Sequence, residues 1–147
     1  MQIILFRRLC LAFLLAGMFS TAAHAFVGVV KTVEGEATIT RKGKTLNVVT
    51  GMEIEQADIV RTARDGLVGL IFSDDSMIAL GPGTEISVDD YLFEPLGKKL
   101  SLVIQLIRGT MSFISGQIAK LAPESVQLVM PAATIGVRGT HVLMKVE

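Results

Sequence analysis

The sequence predicts an all-β fold, a single domain of short strands behind an N-terminal signal-peptide helix. The strands stack either as β-solenoid-like rungs or as a twisted two-sheet form. Three observations carry this. Strand-length runs alternate polar and apolar residues, glycine-rich turns separate them every few residues, and no long helical period appears after residue 25.

Residues 1–25 have the build of a secretory leader. Arg7 and Arg8 supply a positive start, Leu9 to Phe19 an apolar core of 11 residues, and Ala23-His24-Ala25 a small-x-small cleavage site. That core is short against the roughly 20 apolar residues needed to cross a bilayer, so no stable membrane span is expected once the leader is removed. Cys10 lies at the start of the apolar stretch, not at its end, which disfavours a lipoprotein anchor. The exported part is then 26–147, 122 of the 147 residues. A chain of that size buries roughly two-thirds of its surface on folding. Its only cysteine leaves with the leader, so neither a disulfide nor a thiol nucleophile is expected in an exported compartment.

Charge narrows the partners. Losing Arg7 and Arg8 takes 14 basic residues to 12 against 14 acidic, a net charge of −2. The cations are scattered, with Arg41, Lys42 and Lys44 at one turn and Lys98 and Lys99 at another. A nucleic-acid groove would need a basic stripe interleaved with aromatics, and nucleic acid is not an expected partner.

Along the chain, Glu36 to Arg41 alternates, with Ala37 and Ile39 on one face. Thr45 to Thr50 repeats the pattern after Arg41-Lys-Gly-Lys44, which reads as a hairpin turn. Asp58 to Thr62 is a short strand. Leu67 to Phe72 follows Asp65-Gly66, and Ser73-Asp-Asp-Ser76 turns the chain into Met77 to Leu80. Gly81-Pro-Gly83 precedes Thr84 to Val88. Leu100 to Ile107 is apolar on both faces, and its Val/Ile content and nearby Gly109 favour strand over helix; Met111 to Ile114 is the next strand. A helical turn is allowed only between Ser115 and Ser125, where Ile118, Ala119 and Leu121 have the spacing and Pro123 stops it. Val126 to Met130, Thr134 to Val137 and His141 to Val146 complete the strands. No linker divides the chain, so one domain is expected over 26–147.

Pro131-Ala-Ala-Thr-Ile-Gly-Val-Arg-Gly-Thr140 stands out. Gly136 and Gly139 weaken an extended segment unless the backbone must bend or lie against another backbone, and Arg138 is the only charge in the run. Taken with Gly35-Glu-Ala-Thr-Ile39, Gly51 to Ile54, Asp58-Ile-Val-Arg-Thr62, Leu70 to Leu80, Thr84-Glu-Ile-Ser-Val88 and Ile107 to Phe113, the order of short signals resembles a FecR-type periplasmic domain. The motif residues are Asp58, Thr62, Gly136, Val137, Arg138, Gly139 and Thr140. The resemblance implies a solenoid-like or twisted-sheet fold and a signalling-associated role in the cell envelope. The regulators that name the family resemble a three-part device of cytoplasmic sigma-factor-holding segment, membrane helix and periplasmic domain. Here a signal peptide leads straight into the domain, so no anti-sigma arm is expected. Met130 replaces the family's usual Thr before Pro131, and the chain ends soon after Thr140, as in a truncated or minimal version.

No catalytic constellation is encoded. Asp74 and Asp75, like Asp89 and Asp90, are adjacent carboxylates expected to be solvated in turns, whereas catalytic pairs are held across a cleft. His141 is the only histidine after the leader and reads as a surface or half-buried strand residue; no Gly-x-Ser-x-Gly elbow is present. Gly81-Pro-Gly-Thr84 lacks the Lys-Ser/Thr of a phosphate loop. Arg138 is expected to pair with a carboxylate such as Asp58 or to cap carbonyls. The expected function is a non-enzymatic, cofactor-free, metal-free module that binds an envelope protein in the periplasm or outside the cell, with strand addition at an open edge as one mode. A self-assembling envelope or surface component is the alternative, and an enzyme acting on envelope glycans a distant third.

Overall fold

The computed structural model describes residues 26–139 and 141–147, so the leader expected over 1–25, and Thr140, lie outside the described residues. Twelve strands form one antiparallel-dominated sheet. They are β1 (Phe26–Glu34), β2 (Ala37–Arg41), β3 (Lys44–Asn47), β4 (Glu53–Glu55), β5 (Ile59–Thr62), β6 (Leu67–Phe72), β7 (Met77–Leu80), β8 (Glu85–Glu94), β9 (Lys99–Ile114), β10 (Val126–Met130), β11 (Ala133–Gly136) and β12 (His141–Val146). A short helix α1 (Gln117–Leu121) and a 3-10 turn (Pro123–Ser125) sit where the sequence allows a helical turn.

The pairing order resolves the choice between the two expected forms. The path runs β3-β2-β5-β8-β9-β7-β6-β1-β4, with β10, β11 and β12 beyond it. Consecutive strands β1 and β2, β5 and β6, and β7 and β8 therefore act as long strands folded in half, and β9 runs through the fold unbroken. The result is a twisted sheet bent into two leaves. The front leaf has the order β4-β1-β6-β7-β9-β12, the rear leaf β3-β2-β5-β8-β9-β10-β11. Neighbours run antiparallel except β10 on β9, whereas stacked solenoid rungs would pair in parallel.

The expected separate strands at 100–107 and 111–114 are one strand. β9 keeps its ladder because its partners change at the bend: β8 and β10 hold its first part, β7 and β12 its last. Gly109 turns the strand at φ 91° without ending it. Inward residues of both leaves form one core, including Val68, Leu70, Ile78 and Phe113 from the front and Ile39, Val60, Ile86 and Ile104 from the rear. Phe72 of β6 stacks on Tyr91 of β8 across the leaves, ring centroids 5.5 Å apart.

The bend is built from glycine and threonine. A Cβ on Gly35 would overlap the Asp65 carbonyl, one on Gly66 the Glu36 carbonyl, and one on Gly109 the body of Thr84. The missing side chains let adjacent bent strands nest. Hydroxyls then satisfy the backbone where the ladder changes direction. Thr62 Oγ1 donates to the Gly81 carbonyl at 2.7 Å and accepts from the Thr84 amide at 2.8 Å. Thr84 Oγ1 accepts from the Thr110 amide at 3.0 Å and donates to the Thr110 carbonyl at 3.1 Å.

Gly109→Ala is expected to cost about 3 kcal/mol or more, combining left-handed strain with overpacking. Gly43, also at positive φ but in the open β2–β3 turn, should lose only about 1 kcal/mol on the same change. Urea unfolding of the two variants checks the difference; equal losses would remove the bend from its central place.

Candidate functional site

The motif that closes the sequence lies at the far edge of the rear leaf. β10 and β11 form a hairpin joined at Pro131-Ala132, and Val137 turns inward and is buried while Gly136, Arg138 and Gly139 are exposed. A Cβ at Gly136 or Gly139 would meet nothing within 4 Å, and neither has a positive φ. The close approach expected at these two glycines is therefore found at the bend instead. Thr140 falls outside the described residues.

Asp58 immediately precedes β5 and Thr62 ends it, and both bond to neighbouring elements. Asp58 is fully buried at the start of the strand. Arg41, on the end of β2, grips it with both prongs, Nε to Oδ1 at 2.9 Å and Nη2 to Oδ2 at 2.7 Å. The same guanidinium donates to the Glu53 carbonyl and pairs with Glu55 at 2.8 Å, tying β2, β4 and β5 together. The bond to Asp58 comes first among the effects that raise the Arg41 pKa above its ordinary value. The pairing expected between Arg138 and Asp58 is corrected accordingly. A bidentate fork already fills Asp58, and Arg138 borders a shallow depression with Lys120 and Pro123, making no hydrogen bond or ion pair among the described residues.

Asp74 overturns another expectation. It sits in the β6–β7 turn but is fully buried. Ser76 Oγ donates to its Oδ2 at 2.7 Å and the Ile118 amide to the same oxygen at 3.2 Å; Tyr91 donates to Oδ1 at 3.3 Å. Its backbone carbonyl accepts the Gln117 amide at 2.7 Å. The turn is roofed by the segment entering α1, so the carboxylate exchanges water for protein donors instead of facing solvent. Asp75 is exposed, as expected of a turn residue. Burial first, then the charge of Asp74, push the Tyr91 phenol above its usual range. Among the described residues no acidic, histidine and cysteine cluster could hold a metal.

The outer faces of the two leaves differ. The rear leaf presents Thr38, Thr40, Arg61, Glu85, Ser87 and Gln105, with Glu85 held by Arg61 at 2.9 Å and Arg108 at 3.4 Å. Ile59, Val103 and Leu92 share this face, so it is mixed, with polar residues in the majority as on the solvated side of an antiparallel sheet. The front leaf instead exposes Leu67 (42%), Met77 (43%), Ile114 (38%) and Leu143 (76%) on its outer side. His141 is exposed at its margin, 2.7 Å from Ser112 Oγ; no carboxylate among the described residues bonds its other nitrogen, so the pair lacks the third member of a triad. The sequence carries a signal for this face, since Leu67 to Phe72 and Met77 to Leu80 are apolar on both sides.

A protein-family model described as FecR protein matches residues 58–147. No curated protein and no solved structure matches the chain. The matched span begins at Asp58, so β1 to β4 precede it. They nevertheless complete both leaves, β1 pairing with β6 and β2 with β5.

Two outcomes follow. Arg41→Ala leaves Asp58 buried without its cation and should cost about 3 kcal/mol, whereas Arg138→Ala should leave the thermal melting curve unchanged; the reverse pattern would contradict the assignment. Tyr91 is the chain's single tyrosine, so phenolate absorbance reads it alone. Its raised pKa means the folded state favours the neutral phenol. That stability is complete below the ordinary value of 10.0 and is lost as pH rises through the folded pKa. The native titration midpoint should exceed that of the urea-unfolded chain, and Tyr91→Phe should flatten the alkaline fall in stability.

Proposed function

Because the chain belongs to the FecR protein family, we propose that it is an exported, non-enzymatic module that binds another protein in a signalling arrangement of the cell envelope. The family suggests a signalling-associated module, and its domains are regulatory rather than enzymatic and typically envelope-associated. The leader-like residues 1–25 support export to the periplasm or beyond, with cleavage after Ala25. Among the described residues no helix is long and apolar enough to cross a membrane.

The observation that carries protein binding is the unequal surface. Exposed apolar side chains form a continuous row on the outer face of the front leaf, whereas on the rear leaf Ile59, Leu92 and Val103 are interspersed with threonines, serines and charged residues. Exposed apolar area of that kind marks a surface that a partner covers. A second reading, assembly of the chain with itself, draws on the edges of β11 and β12, each paired on one side only among the described residues.

Affinity capture from envelope extract with the wild-type chain and with Leu143→Lys tests the reading. A specific protein should be retained by the wild type and lost, or bound at least about tenfold more weakly, by the variant, as for loss of a buried contact at an interface. Identical recovery with both, or sedimentation showing only higher oligomers of the chain, would count against it. Mass analysis of the exported protein should place its first residue at Phe26.

A further inference from the structure

The apolar face is shaped. Thr32 of β1 lies opposite Gly69 of β6, Gly69 opposite Ala79 of β7, Ala79 opposite Ser112 of β9, and Ser112 opposite Leu143 of β12. These residues form one row across five strands, with small residues as a floor and Leu143 at its far end. On one side of the floor stand Ile71, Met77 and Ile114, themselves a cross-strand row. On the other side are Leu67, Gly81 and Thr110. The result is an apolar groove perpendicular to the strands.

Its dimensions select an occupant. Side chains two residues either side of the floor are separated by about 14 Å along the strands, room for a helix of about 10–12 Å with its side chains. The five strands span about 19 Å, the length of roughly 13 helical residues. An extended segment laid the same way would turn its peptide N–H and C=O groups toward an apolar floor whose own backbone is committed to the sheet. A helix satisfies these groups internally. Lys31 is the charged residue beside the Ile71 and Met77 side of the groove, while Glu34, opposite Leu67, and Lys145, opposite Thr110, stand at the two ends of the other side.

We infer that the front leaf docks an amphipathic helix of a partner protein, about three to four turns long, lying across β1, β6, β7, β9 and β12, with a carboxylate in the turn over Lys31. The inference rests on the reading of this chain as a protein-binding module and specifies how it binds. Strand addition uses a sheet edge; this mode uses a face and leaves the β12 edge free.

The test places a small photo-crosslinking amino acid at Thr32, Ala79 or Leu143 of the full chain in its native cells, with Ser87 on the rear leaf as control, and maps the linked residues on the partner. Crosslinks from Thr32 and Leu143 should fall in one partner segment about 13 residues apart, with the Ala79 crosslink between them, and Lys31→Glu should lower the yield severalfold. A separation of about 6 residues would mean an extended segment and overturn the helix while leaving protein binding intact. Crosslinks to a second copy of this chain would replace the partner with self-assembly. No crosslink from the three groove positions, or equal yield from Ser87, would overturn both the groove and the binding reading. An unchanged yield with Lys31→Glu would remove the carboxylate from the account.

Discussion

A sheet of this length cannot bury one of its faces unless it folds back on itself, and the fold-back happens where glycines let neighbouring strands nest. At Gly35, Gly66 and Gly109 any side chain would occupy space already held by the next strand. The hydroxyls of Thr62 and Thr84 then repair the ladder, donating to the Gly81 and Thr110 carbonyls and accepting from the Thr84 and Thr110 amides of the adjoining bent strands. Because the bend is shared by three folded strand pairs and by β9, the two leaves cannot separate one strand at a time. The core packed between them, and the stacking of Phe72 on Tyr91, are consequences of that geometry.

Three polar ties fix the ends of the leaves. Arg41 clamps Asp58 and the β4 backbone at one end, so that strands as short as β4 remain ordered. Asp74 gathers Ser76, Tyr91 and the start of α1 at the other. The rear face adds Arg61, Glu85 and Arg108. These groups make no reactive constellation; each carboxylate is spent on holding elements together. The two outer faces differ because the front-leaf strands β6 and β7 are apolar on both sides.

Much of this was legible in the residues. Leu67–Phe72, Met77–Leu80, Val126–Met130 and His141–Val146 are strands with the bounds their flanking turns suggest. β1 escaped because a bulge between Val30 and Thr32 sets Lys31 and Thr32 on one side and breaks the alternation. β9 read as two strands because Gly109 looks like a break, when neighbours on both sides carry the ladder past it. The burial of Asp74 depends on α1, some forty residues further along, and nothing local signals it. Gly136 and Gly139 drew notice for a constraint that operates at Gly35, Gly66 and Gly109. Arg138 and Asp58 are both present, but Arg41, brought in by the β2–β5 pairing, reaches the carboxylate instead.

The account stands on the bend acting as one cooperative unit, and native-state amide hydrogen exchange tests it most directly. The amides of Thr62, Gly81, Thr84 and Thr110, all bonded across the bend, should exchange only through global unfolding, sharing one free energy and one denaturant dependence. Exchange of these four by separate, denaturant-independent local openings, while the leaf interiors stay protected, would contradict it.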